Sequence, residues 1–166
     1  MGRFQINYFQ TIILGFAALI LIGAFLLMLP VSSRAHLYTP FLEALFTSTS
    51  ASCVTGLIVY DTATHWSFFG QAVILLLIQI GGLGVVVTVT SLFVLSGKQI
   101  GYAQRKTLAN SISISSQGEI LKMLIFLLKW TGMIELFFAA LLATQFVPEF
   151  GFRRGIWYAI FHSVSA

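Results

Sequence analysis

The sequence predicts an all-α integral membrane fold built from units of helix, re-entrant loop and helix, one unit complete and a second partial. Three observations point there. Of 166 residues, 58% are apolar and 8% charged, with a mean hydropathy of +0.94, far from a soluble domain. Uncharged runs of bilayer length flank a segment too short to cross. And EALFTSTSA, Glu43 to Ala51, matches YAIFHSVSA, Tyr158 to Ala166, at five of nine positions when the chain is slid by 115.

Taken in order, residues 9–30 carry no charge and reach about 30 Å as a helix at 1.5 Å per residue, enough for a first span. The run is too long for a signal-peptide core and lacks a small-x-small cleavage site near Pro30, so it is expected to be retained. Residues 39–57 hold one short apolar helical stretch, Pro40 to about Ser50, and then a neutral polar run; such a segment dips in and returns. A second span is predicted over 68–95, long enough to tilt or kink. Residues 98–118 are polar and form a loop. A third span, 123–146, carries Lys129 and Glu135 and is closed by Pro148, and a second short helix begins at 154–166. The units are thus 1–97 and 119–166, joined by the loop.

Basic residues orient the chain. Lys98, Arg105, Lys106 and Lys122 lie between spans two and three, and short cytoplasmic loops collect Lys and Arg. With Arg3 and Lys129 on that side the bias is six to three against Arg34, Arg153 and Arg154, which places the N-terminus inside. Trp66, Trp157 and Tyr158 then fall at the outer interface, where amphipathic rings are favoured. The scattered positive charge forms no stripe, which excludes a nucleic-acid surface. Cys53 is the single cysteine, so there is no internal disulfide, and no spacing of Cys or His suggests a transition-metal site.

The chemistry concentrates at STSASCVTGL, Ser48 to Leu57. Non-helical backbone at membrane depth must be shielded by protein or line water. A dehydrated cation needs several hard oxygen ligands, and backbone carbonyls from Ser52, Cys53, Val54, Thr55 and Gly56 supply them without placing full charges in lipid. Gly56 permits φ > 0 or close approach, Thr55 or Ser52 can add a hydroxyl oxygen, and the preceding short helix directs its negative C-terminal end to the same point. The competing reading is a plain loop, or small polar residues that pack helices, with Cys53 a buried filler.

Other residues have two uses each. Asp61 either adds negative potential at an outer mouth or, with Thr64 as a rival, caps the helix that follows. Gly81, Gly82 and Gly84 serve close helix packing or a hinge; they lack the spacing and preceding strand of a nucleotide-binding loop. Glu135 is costly in lipid and should face protein or water, while Glu43 suits a helix N-terminus. The dispersed His36, His65 and His162 are expected near the outer surface. The 98–118 loop suits anionic headgroups.

FLEALFTSTSASCVTGL, then DTATHWSFFGQ at Asp61 to Gln71, then LIQIGGLGVVV at Leu77 to Val87 together resemble the Ktr/Trk/HKT potassium-uptake superfamily, closest to bacterial KtrB-type membrane subunits. The resemblance runs from span one to Ala166. It implies membrane-pore-membrane repeats, four to a pathway, each supplying one filter strand with a glycine, Gly56 being the first. It also implies potassium as transported substrate, with sodium left open as companion or replacement, no cofactor, a homodimer, and a cytosolic nucleotide-binding regulatory ring that meets the 98–118 face. The chain is expected to be the N-terminal part of a longer pore-forming subunit in the cytoplasmic membrane, and no enzyme. A rival from another class is a non-transporting membrane assembly or structural protein. A membrane hydrolase using Ser48 or Ser50 lacks a His/Asp partner and a GxSxG elbow.

Overall fold

A computed structural model describes residues 8–84 and 117–166. The end of the predicted second span (residues 85–95), Arg3, and the basic loop with Lys98, Arg105 and Lys106 lie outside the described residues. What is described divides into two compact units, one within Met1–Val89 and one within Thr90–Ala166, all helical apart from connectors.

In the first unit, α1 spans Tyr8–Met28, an uncharged apolar run. It stops because Pro30 forces the residue before it out of helical geometry: Leu29 is extended, with ψ 140°. A 3₁₀ turn, Pro30–Ser32, follows, and the Ser32 hydroxyl donates at 2.6 Å to the Leu26 carbonyl, which Pro30 has no N–H to serve and which otherwise accepts, among the described residues, only from the Leu29 N–H at 3.3 Å. The short helix α2 covers Phe41–Ser52, 12 residues or about 18 Å, too short to cross a bilayer. Glu43 sits in its first turn, where a carboxylate favours the helix dipole. Its buried residues, Ala44, Thr47, Ser48, Ser50, Ala51 and Ser52, are all small, and all but Ser50 recur at helical spacing.

Helix α3 covers Phe68–Leu83. Its N-cap is Ser67, whose side chain accepts from the Gly70 N–H at 3.2 Å, so neither Asp61 nor Thr64 caps it. Helix α3 ends at Leu83, because Gly84 takes φ +84° and turns its N–H back to the Gly81 carbonyl. The connectors leading into α2 and α3 are zipped together. Ser33 and Trp66 form an antiparallel bridge, the Arg34 N–H bonds the His65 carbonyl at 2.9 Å, and the Ser67 N–H bonds the Ser32 carbonyl at 2.8 Å. Trp66 is therefore fully buried, not an interfacial anchor: its own carbonyl accepts from Arg34 Nε and Gln71 Nε2. The core of the unit is Ala24, Leu27, Ala44, Ala51, Trp66, Val73, Ile74 and Leu77.

In the second unit, α4 runs through Gln117–Phe150 and α5 through Phe152–Ser165. The last two residues of the predicted loop are thus helical, and Pro148 lies inside the final turn without closing the helix. Gly151 closes it, at φ +80°. From there α5 folds back on α4. A methyl group at Gly155 would lie 2.6 Å from the Phe146 carbonyl oxygen, so glycine lets the two backbones touch. Ala139 and Ala159 are buried, and Phe146 meets His162 edge-on at 5.3 Å. Residues 125–150 of α4 are long and apolar enough to cross a membrane. In both units large apolar side chains point outward, Leu136 at 72% exposure and Ile13 at 66%, a surface unsuited to water.

Candidate functional site

The site is built where α2 ends. Ser52, predicted to lie in an extended strand, is the last residue of the helix and is buried, and Cys53 is its C-cap. The Val54 N–H bonds the Ala51 carbonyl at 3.2 Å and the Thr55 N–H reaches the Ser50 carbonyl at 3.0 Å, a Schellman-type closure. That closure needs a left-handed residue, here Val54 at φ +52°. A β-branched side chain is unfavourable there, at a cost of about 1–3 kcal/mol.

Ser50 ties the strand back to the helix. Its hydroxyl donates to the Leu57 carbonyl at 2.7 Å and accepts from the Thr55 hydroxyl at 3.0 Å. Gly56 follows at φ +73°, and a methyl group there would meet nothing within 4 Å, so its requirement is conformational and not steric. Cys53, Val54, Thr55 and Gly56 are all exposed, which makes Cys53 no buried filler. Among the described residues, no hydrogen bond ends on the carbonyl oxygens of Cys53 to Gly56. Four exposed backbone acceptors thus lie together at the negative end of a helix.

The three glycines of α3 separate. A methyl group at Gly81 would overlap the Ser52 carbonyl oxygen and lie 2.7 Å from its carbon, so this glycine lets α3 back directly onto the end of α2. At Gly82 a methyl group would touch only Val54, at 3.9 Å, and Gly84 shapes the helix end. Asp61 builds a local turn: its Oδ2 accepts from the Thr64 N–H at 3.0 Å and hydroxyl at 2.7 Å. The Thr64 hydroxyl bond is the main cause holding its carboxyl below the ordinary aspartate range.

Composition did not reveal three of the features that hold this site. The Tyr60 hydroxyl donates to Glu43, lashing the strand beyond Gly56 to the first turn of α2; that bond raises the phenol above its usual value, with burial adding to it. His65 stacks on Tyr60 at 3.9 Å. Gly23 in α1 makes room for α2, since a methyl group there would overlap the Ser48 hydroxyl and lie 2.7 Å from Leu77. In the sequence Gly23 is only a small residue within an apolar run, and nothing local pairs it with Ser48.

Helical among the described residues apart from connectors, with large apolar side chains exposed and one helix long and apolar enough to cross a bilayer, the chain has the make-up of a membrane protein. It belongs to the TrkH family of cation transport proteins, whose profile matches residues 5–166. It is similar to the potassium/sodium uptake protein NtpJ of Enterococcus hirae, 42% identical over 99% of this chain and 36% of that protein. The Ktr system potassium uptake proteins B of Bacillus subtilis and Vibrio alginolyticus are 39% and 34% identical, each over 95% of this chain and 35% and 34% of their own lengths. The chain spans about a third of the length of the curated relatives it matches. These relatives are transporters, not enzymes.

Proposed function

We propose that this chain contributes to potassium uptake across a cytoplasmic membrane, with residues 53–56 as one strand of a carbonyl-lined selectivity filter. One observation carries the proposal: four exposed main-chain oxygens without donors among the described residues, presented at the C-terminal end of a short helix. Left-handed backbone at Val54 and Gly56, with Thr55 between them, supports it. Such alternation turns successive carbonyls toward one side, where an ordinary strand points them to opposite sides. The helix end adds about half a negative charge to the same place. Ser52, inside the helix, then contributes through the helix end and not as a strand carbonyl.

One strand cannot surround an ion. The membrane-pore-membrane architecture implies further units, the second of which begins with α4 and α5, in a multi-pass protein with its N-terminus inside. Asp61, exposed a few residues beyond Gly56, adds negative potential at the outer mouth while it holds its turn. Potassium is the favoured substrate, with sodium as alternative or companion; a homodimer and a cytosolic nucleotide-binding ring are the expected partners.

Growth of a potassium-uptake-deficient bacterial strain on limiting potassium tests the proposal. Full-length protein should restore growth and Gly56→Asp should abolish it at equal membrane abundance, because the new side chain both strains the backbone and places a carboxylate among the ligands. Equal growth with both proteins would leave the strand as mere packing.

A further inference from the structure

Sliding the chain by 115 residues aligns more than sequence. In the first unit the Ser48 hydroxyl donates to the Ile20 carbonyl of α1 at 2.7 Å; in the second, the Ser163 hydroxyl donates to the Glu135 carbonyl of α4 at 2.6 Å. Donor and acceptor are 28 residues apart in both. Ser163 is Ser48 moved by 115, and Glu135 is Ile20 moved by the same amount.

The surroundings follow the same register. A helix carbonyl that already accepts its own N–H four residues on has a second lone pair, and a neighbouring hydroxyl can use it only if no side chain covers it. The residue that would cover it lies four positions later, because side chains lean toward the helix N-terminus. That residue is alanine both times, Ala24 and Ala139, and both are buried. One turn before each serine is a second buried alanine, Ala44 and Ala159. The residue before each serine also repeats a bond: Thr47 Oγ1 donates to the Glu43 carbonyl, and His162 Nδ1 pairs with the Tyr158 carbonyl, each one turn back.

The connectors do not impose this match. Residues 29–40 join α1 to α2 through a 3₁₀ turn and extended chain, whereas α4 continues as helix to Phe150 and reverses at Gly151 alone. Two different routes deliver the serine to the same carbonyl.

We propose that Ser48 and Ser163 are equivalent positioning residues. Each hydroxyl pins the C-terminal half of its short helix to one carbonyl of the preceding long helix, and so sets the depth at which the backbone after that helix is presented to an ion. Ser48 lies one turn before Ser52, whose carbonyl abuts Gly81, so the last turn of α2 is held from two sides and the strand from Cys53 starts at a defined height. The role rests on the ion pathway proposed above, and neither serine touches the ion.

The test uses the full-length protein with Ser48→Ala, Ser163→Ala and the hydroxyl-retaining Ser163→Thr, which the half-buried setting of Ser163 can admit. Potassium uptake in the deficient strain is measured against concentration, together with membrane abundance and amide exchange of residues 44–53. Each alanine variant should raise KM about fivefold, the effect of one ordinary hydrogen bond, with maximal rate and abundance little changed. Ser163→Thr should behave as wild type, and Ser48→Ala should speed exchange across the end of α2. Reduced abundance with an unchanged KM would make the serines structural only and overturn the proposal, as would unchanged KM and exchange in both alanine variants. If wild-type protein itself shows no potassium uptake, the ion pathway fails first and the positioning role with it; active wild type with indifferent variants removes the positioning role alone.

Discussion

The two units of this chain solve one packing problem with different material. In both, a short helix lies against a long apolar helix through alanines and one serine. In the first, Gly23 also opens α1 toward Ser48 and Leu77, whereas the same register position in the second is Phe138, half exposed at 51%. The glycine stands where α3 meets α1 and α2 together. Side-chain contacts between a short helix and its long partner therefore use alanine and a hydroxyl, while glycine stands where one backbone meets another, Gly81 against the end of α2 and Gly155 against α4, and at Gly23, where α1 meets two helices at once.

The sharpest way to break that distinction is a set of single methyl groups. Gly81→Ala, which drives a methyl into the Ser52 carbonyl, should cost about 1–3 kcal/mol or more and lower the thermal midpoint and yield of purified protein. Gly155→Ala should act similarly in the second unit, where the Phe146 carbonyl oxygen is 2.6 Å away. Gly132→Ala, in the same helix as Phe146 but with nothing within 4 Å, should cost nothing and can gain up to about 1 kcal/mol from helix propensity. Equal losses at all three positions would show that glycine here is not a matter of backbone contact.

Val54 sharpens the comparison within the first unit. Its side chain is 52% exposed and its φ is positive, so Val54→Gly should relieve strain and leave stability unchanged or better by about 1 kcal/mol, measured by the midpoint of denaturant unfolding. A loss larger than that would mean that the valine packs against something when the filter is assembled.

Asp61 gives the smallest effect. Its carboxyl is held below its ordinary value by the Thr64 bonds, so the support it lends to the 61–64 turn is fully present above about pH 4 and is lost as pH falls through the folded value. Amide exchange at Thr64 should therefore quicken in acid, and Asp61→Asn should remove most of that dependence. A turn that keeps its acid sensitivity after the substitution owes it to another group.

Much of the framework could be read from the residues in order. An uncharged run announced α1 and a long apolar run interrupted by Lys129 and Glu135 announced α4, the short polar-ended stretch announced α2, and the echo at 115 residues paired Ser48 with Ser163 before any contact was visible. Helix ends were harder. Pro148 looked like a stop but sits in a last turn that tolerates it, and Gly84, lost among apolar neighbours, is the residue that ends α3. Trp66 suited an interface by its chemistry, yet the pairing of two connectors encloses it.

Membrane residence, the placing of the long helices and the position of the polar run were determined by the sequence itself, because hydropathy acts along the chain within a window one bilayer thick. Tertiary structure alone decided which glycine touches a carbonyl, which serine reaches across to another helix, and which main-chain oxygens are left without donors. Those outcomes depend on distances of a few ångströms between segments tens of residues apart, and no local pattern of residues encodes them.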